Sequence, residues 1–250
     1  MKTIHTLLVA IAISLTAQIL ARATPVDSKE PIGTKLKMAQ DLFDLGLYDS
    51  ALTSYISAEK LFTAARQWDN VVLCKNSIAE IYRIVADNAK CEATLNESYE
   101  ICKTNLPPNS EGLAKTFEVH GKMLDYNVRD FEQARLYYEK ALAMRSQLYG
   151  KEHLAIAENI YLIGRTYLNT GKFDDAEKLF REAVAMKTKL GGAGHISLYD
   201  VHISQGVLYR RWLRFEEALV YYQKAQDIWN QNKRSNEHPN YGLLLYGMGN

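Results

Sequence analysis

The chain has 250 residues, with 30 Lys and Arg against 29 Asp and Glu, and is 47% hydrophobic. A formal net charge of +1 supplies no electrostatic pull toward nucleic acid or an anionic membrane surface, and this apolar content excludes wholesale disorder. Three cysteines are too few for a disulfide-dense scaffold, so composition alone describes a folded protein and is silent on its task.

The first element is a leader. Lys2 is followed by an apolar run from Leu7 to Leu20 and then by Ala21-Arg22-Ala23, the layout of a secretory signal peptide over 1–23 with cleavage after Ala23. The run is shorter than the roughly 20 residues that span a bilayer, which favours cleavage over anchoring. Export to a periplasmic or extracellular compartment is therefore expected. No later stretch is apolar enough to cross a membrane. Residues 24–33 read as a linker.

From residue 34 onward the chain repeats itself. Two weaker units come first, over about 34–66 (Ala39, Leu42, Tyr48, Ala51, Tyr55, Ala58) and 69–104 (Ala79, Tyr82, Cys91, Leu95, Ser98). Pro107-Pro108 closes the second with a stiff break. Three stronger units follow over about 111–149, 154–190 and 196–232. Gly121, Gly164, Gly206 and Gly249 are spaced by 43, 42 and 43 residues, while Phe131, Phe173 and Phe215 are spaced by 42 and 42. Ala134, Ala176 and Ala218 keep the same period, as do Ala141, Ala183 and Ala225, with His153, His195 and His238 at 42 and 43. A partial sixth unit, 239–250, places Gly249 on register and has no polar capping helix, so the natural protein is expected to continue.

Within each unit the pattern predicts two helices. Ile160, Ile163, Gly164, Tyr167 and Leu168 form an apolar stripe at helical period, Gly171 suits a left-handed turn, and Phe173, Ala176, Phe180 and Ala183 repeat the stripe. The small residues let two backbones approach closely.

This order of small and aromatic residues resembles the tetratricopeptide repeat, in the long version of about 42 residues found in kinesin light chains and bacterial multi-repeat proteins. Leu148-Tyr149-Gly150-Lys151-Glu152-His153 and His238-Pro239 resemble the long version's inter-repeat signature. The resemblance implies an all-α, right-handed superhelical solenoid of antiparallel helix pairs over 34–250. It also implies a non-enzymatic scaffold that binds a protein or peptide partner on its concave face, or alternatively the sensory or regulatory front of a longer signalling protein or CHAT-type protease.

No residue pattern argues for catalysis. Gly191-Gly192-Ala193-Gly194 follows a helix rather than a strand and lacks the phosphate-loop Lys-Ser/Thr. His195 and His202 lack the companions of a metal site. His153, His195 and His238 occupy one repeat slot and read as structural groups at helix starts. Cys74 and Cys102 lie level across an antiparallel pair, where a disulfide is one option, and Cys91 fills an alanine slot. No cofactor, metal, nucleic-acid or membrane partner is expected.

The concave face carries the candidate site. Counting from the small residue of each first helix, the groove slots hold Asn76 and Arg83, then Lys122 with neighbouring Tyr126, then Tyr161 and Arg165, and finally Arg210. Lys122, Arg165 and Arg210 form a cationic row suited to carboxylates on a partner, and Tyr126 and Tyr161 supply flat contact area. Glu118 and Asp125, interspersed in the row, are the competing internal partners. If the row is free, charge reversal at Lys122 and Arg165 weakens capture without lowering the melting temperature.

Overall fold

The structure is a computed structural model that describes residues 32–236 and 238–249. The leader at 1–23 lies outside the described residues, as does nearly all of the 24–33 segment. The first helix begins at Ile32, two residues before the repeat pattern does.

Among the described residues the chain is helical throughout, without strands. The first pair is α1 (Ile32–Asp44) and α2 (Tyr48–Ala64), the second α3 (Trp68–Ile84) and α4 (Asn88–Asn105). The third is α5 (Glu111–Lys122), extended by a π-helical segment (Met123–Val128), and α6 (Phe131–Tyr149). Next come α7 (Leu154–Asn169) with α8 (Phe173–Gly191), then a 3-10 turn (Ile196–Leu198) leading into α9 (Tyr199–Arg211) with α10 (Phe215–Gln231). A sixth first helix, α11, spans Pro239–Met248.

Each second helix buries one stripe at i, i+4, i+7, i+11. The stripes are Ala51, Tyr55, Ala58, Phe62; Cys91, Leu95, Ser98, Cys102; Ala134, Tyr138, Ala141, Arg145; Ala176, Phe180, Ala183, Lys187; and Ala218, Tyr222, Ala225, Trp229. The aromatic of the stripe meets the small residue of its first helix so closely that only glycine fits in the last three pairs. A Cβ added to Gly121 would lie 2.6 Å from the Tyr138 ring, one on Gly164 2.9 Å from Phe180, and one on Gly206 2.5 Å from Tyr222. Gly249 does not take that role: it follows α11 with φ +79°, and Gly247 instead meets the Tyr222 ring.

The turn within each pair uses one left-handed residue two positions before the second helix: Gly46, Ala86, Arg129, Gly171 and Leu213. It closes by a backbone bond from the following N–H to a carbonyl five residues back, as from Asp87 to Tyr82 and Lys172 to Tyr167. The third pair differs. Gly121 and Phe131 are ten residues apart where Gly164 and Phe173 are nine, and the Asp130 N–H reaches back six residues to Leu124. The extra residue is absorbed by the π-helical segment, the ordinary way an α-helix accommodates a one-residue insertion.

Candidate functional site

The first helices form the inner layer of the solenoid, and their groove slots converge on a cavity of about 280 Å3. Every pair contributes to its wall, from Phe43, Asp44 and Tyr48 at the start to Trp229, Arg234 and His238 at the end. The superhelix closes on itself there: Arg234 Nη1 donates to the backbone carbonyl of Asp44 at 3.1 Å, across 190 residues of chain.

The wall is built of paired charges. Glu118 is fully buried and meets Arg145 Nη1, Lys115 at 2.6 Å and Lys122 at 3.0 Å. Lys122 lies 3.8 Å from Glu158, which accepts from Lys187 at 2.7 Å, so the pairs run as a ladder across pairs three and four. Burial alone would raise the Glu118 carboxyl, but Lys115, Lys122 and Arg145 hold it well below the usual carboxylate range. Glu80 behaves alike: burial opposes ionisation, yet Arg83 and Lys122 bring its pKa down to about 2. Glu80 accepts two bonds from Arg83, at 2.9 and 3.1 Å.

The π-helical segment supplies the cavity's most organised feature. Its buried Asp125 accepts from Arg165 Nε at 3.2 Å and Asn169 Nδ2 at 2.9 Å. Asn127 donates to the Arg83 carbonyl at 2.8 Å and to Asn88 at 2.9 Å. Tyr126, between them, is clasped by two guanidinium groups, Arg165 at 3.8 Å and Arg83 at 4.9 Å from its ring centroid. Such contacts add about 0.5–2 kcal/mol each, more where water is excluded. Burial would lower the Arg165 pKa, but Tyr126, Tyr161 and Asp125 raise it well above the usual value, so the guanidinium stays charged.

Of the residues singled out from the sequence, Arg83, Lys122, Tyr126, Tyr161 and Arg165 come together in the cavity wall. Asn76 and Arg210 do not line it. Asn76 is buried, donating to the Gly112 carbonyl at 3.0 Å and accepting from Ser98 and Thr116, which ties the second pair to the third. Arg210 stacks over Tyr246 at 5.4 Å. Glu118 and Asp125 pair with Lys122 and Arg165, so charge reversal there is expected to cost stability as well as binding, contrary to the expectation for a free row. Sequence reasoning passed over Arg145 and Lys187, buried cations that continue the second-helix stripe one turn on; that i+4 continuation was the available signal.

The structure keeps Cys74, Cys91 and Cys102 as free, buried thiols, with no bridge between Cys74 and Cys102. Burial pushes their pKa values up to about 12, 12 and 11. His153 and His195 cap helices, accepting from the N–H groups of Ala155 and Ser197. Among the described residues no cluster of His, Cys, Asp or Glu is arranged to hold a metal, and no helix is long and apolar enough to cross a membrane.

Stacked helix pairs around an inner cavity define the class: an α-solenoid of nearest-neighbour repeats. Tetratricopeptide repeat models match residues 112–189 and 161–233, and the chain is a tetratricopeptide repeat protein. Proteins built of this repeat are generally non-enzymatic scaffolds. No curated protein matches the sequence. Among solved structures, BtubC (BKLC) from P. vanneervenii is 17% identical with a TM-score of 0.59, over 88% of this chain and 85% of that one. PilW, a type IV pilus biogenesis factor, is 17% identical with a TM-score of 0.56, over 88% and 86%. A Rap protein complexed with Competence and Sporulation Factor is 13% identical with a TM-score of 0.61, over 81% and 66%. At these identities the likeness is one of fold.

Proposed function

We propose that the chain is an exported, non-enzymatic scaffold that holds a peptide or a segment of a protein partner in the cavity of its solenoid. The observation that carries this reading is Tyr126, clasped by Arg83 and Arg165 in a cavity walled by every helix pair. Asp125 engages only Nε of Arg165, leaving both Nη groups without a hydrogen-bond partner among the described residues. Planar guanidinium donors beside a flat aromatic ring suit a carboxylate or carbonyl on a bound chain. A solved neighbour of the same fold, the Rap protein, is complexed with a factor of its own, which supports a binding role. Export rests on the leader pattern of Lys2, the apolar run and Ala21-Arg22-Ala23.

Residues 24–250 as bait in the exported fraction test the binding reading. Capture of a discrete partner, lost with Arg165→Gln and with Tyr126→Ala, is the expected outcome. Capture unchanged by both substitutions overturns the assignment of the cavity. Sequencing the amino terminus of the exported protein tests the leader; Thr24 is the expected first residue.

A further inference from the structure

The repeat places an acid in the same slot of the fourth and fifth pairs: Glu158 and Asp200 each lie six residues before the glycine of their first helix, Gly164 and Gly206. In the fourth pair the second helix answers that acid. Lys187 Nζ lies 2.7 Å from Glu158, donates to the Ser197 carbonyl at 2.8 Å, and sits 5.1 Å from the Tyr161 ring centroid. The same second-helix slot, 42 residues on, is Trp229 in the fifth pair. The acid persists and its cation is gone.

Asp200 consequently has no hydrogen-bond or ion-pair partner among the described residues, and it is exposed to the cavity. Burial by the surrounding walls and the nearby charge of Glu158 raise its pKa, outweighing the opposing pull of Lys187, Lys122 and Arg165, none of which makes an ion pair with it. Trp229 lines the same cavity, is 3% exposed, and its buried Nε1–H has no hydrogen-bond partner. Tyr199 packs against it with ring centroids 4.7 Å apart.

We propose that Asp200 seats a primary ammonium group of the bound peptide, which plays beside Asp200 and the rings of Tyr199 and Trp229 the part Lys187 plays beside Glu158 and Tyr161. The proposal rests on the peptide-binding reading above and gives the ligand a polarity, with its ammonium at the fifth pair and its acceptor groups at Arg83 and Arg165. A carboxylate and aromatic faces together replace the water an ammonium gives up. A peptide's amino terminus and a lysine side chain both carry such an ammonium.

Three pools of short random peptides, passed over the immobilised chain and quantified by mass spectrometry, test this. One pool has free amino termini and no lysine, one is amino-acetylated and contains lysine, and one is acetylated without lysine. The expected result is retention of the first pool roughly tenfold or more above the third. Asp200→Asn should erase that preference and leave the melting temperature unchanged or raised, since it removes a carboxylate that is repelled by Glu158. Retention of the second pool at the level of the first shows that a lysine ammonium is seated as readily as an amino terminus, which supports Asp200 as the ammonium seat and overturns any preference for the amino-terminal source. Equal retention of all three pools, a preference that survives Asp200→Asn, or a large drop in melting temperature for that variant overturns the proposal. Failure of the wild-type chain to retain any pool overturns the cavity reading and this inference with it.

Discussion

The third and fourth helix pairs share their packing positions, with Gly121, Ala134, Tyr138 and Ala141 matched by Gly164, Ala176, Phe180 and Ala183. They differ by one residue in the first helix. In the fourth pair the slot four past the glycine is Leu168, which packs into the apolar core. In the third it is Asp125, and the inserted residue turns the end of the helix into a π-helical segment that presents Asp125, Tyr126 and Asn127 to neighbouring pairs. A repeat array keeps its period through the second helices and is free to vary at the ends of the first, where an insertion redirects side chains without disturbing the stack.

The largest expected effect tests that difference at its centre. Asp125→Ala leaves Arg165 and Asn169 without their acceptor in a buried setting, and should cost about 3 kcal/mol in urea unfolding. Leu168→Ala in the same slot should cost about 2–3 kcal/mol as a cavity. The contrast lies in rescue: Leu168→Met should recover most of the wild-type stability, whereas Asp125→Leu should not. Recovery with Asp125→Leu would show that the slot needs only volume.

A smaller effect separates the pairs by pH. The Glu118 carboxyl in the third pair is held well below its ordinary range, and that of Glu158 in the fourth is lowered. Their folded pKa values lie below the unfolded value of about 4.3, so their contribution is fully present above that value and is lost as pH falls through the folded values. Stability measured between neutral pH and about pH 2 should decline on acidification. Glu118→Gln should flatten the decline more than Glu158→Gln, by about 1 kcal/mol. Equal flattening would erase the distinction.

The smallest effect concerns the turns. Gly171 has φ +80° and Arg129 has φ +65° in equivalent positions. Gly171→Ala should cost about 1 kcal/mol, and Arg129→Gly should gain about 0.5 kcal/mol, with the Arg129–Phe131 ring contact moderating the gain. Thermal unfolding of the two variants reads both signs.

Much of this is legible in the amino-acid sequence. The helix pairs, the turn at Gly171, the glycine–aromatic contacts and the place of His153 and His195 at helix starts follow from residue type at fixed spacing. Even the π-helical segment left a trace, since Gly121 and Gly164 are 43 residues apart while Phe131 and Phe173 are 42. Its effect on Tyr126 was not readable, because the direction of a side chain after an insertion depends on how the helix absorbs it. Arg145 and Lys187 continue an apolar stripe, and charge in a stripe reads as surface until the facing carboxylates of Glu118 and Glu158 are seen. The pairing of Arg234 with Asp44 was beyond reach for another reason. It depends on the summed rotation of all the pairs, which no local pattern encodes.

That contact between the two ends has a geometric consequence. Asp44 belongs to the first pair and Arg234 follows the fifth, so the gap between Arg234 and the Asp44 carbonyl is the accumulated remainder of the four stacking steps between them. A shift of a fraction of a degree at any one stacking interface is multiplied by the arm beyond it before it reaches the gap. The 3.1 Å bond is therefore a vernier for the entire winding: a substitution anywhere in the array that alters the pitch is read out there first.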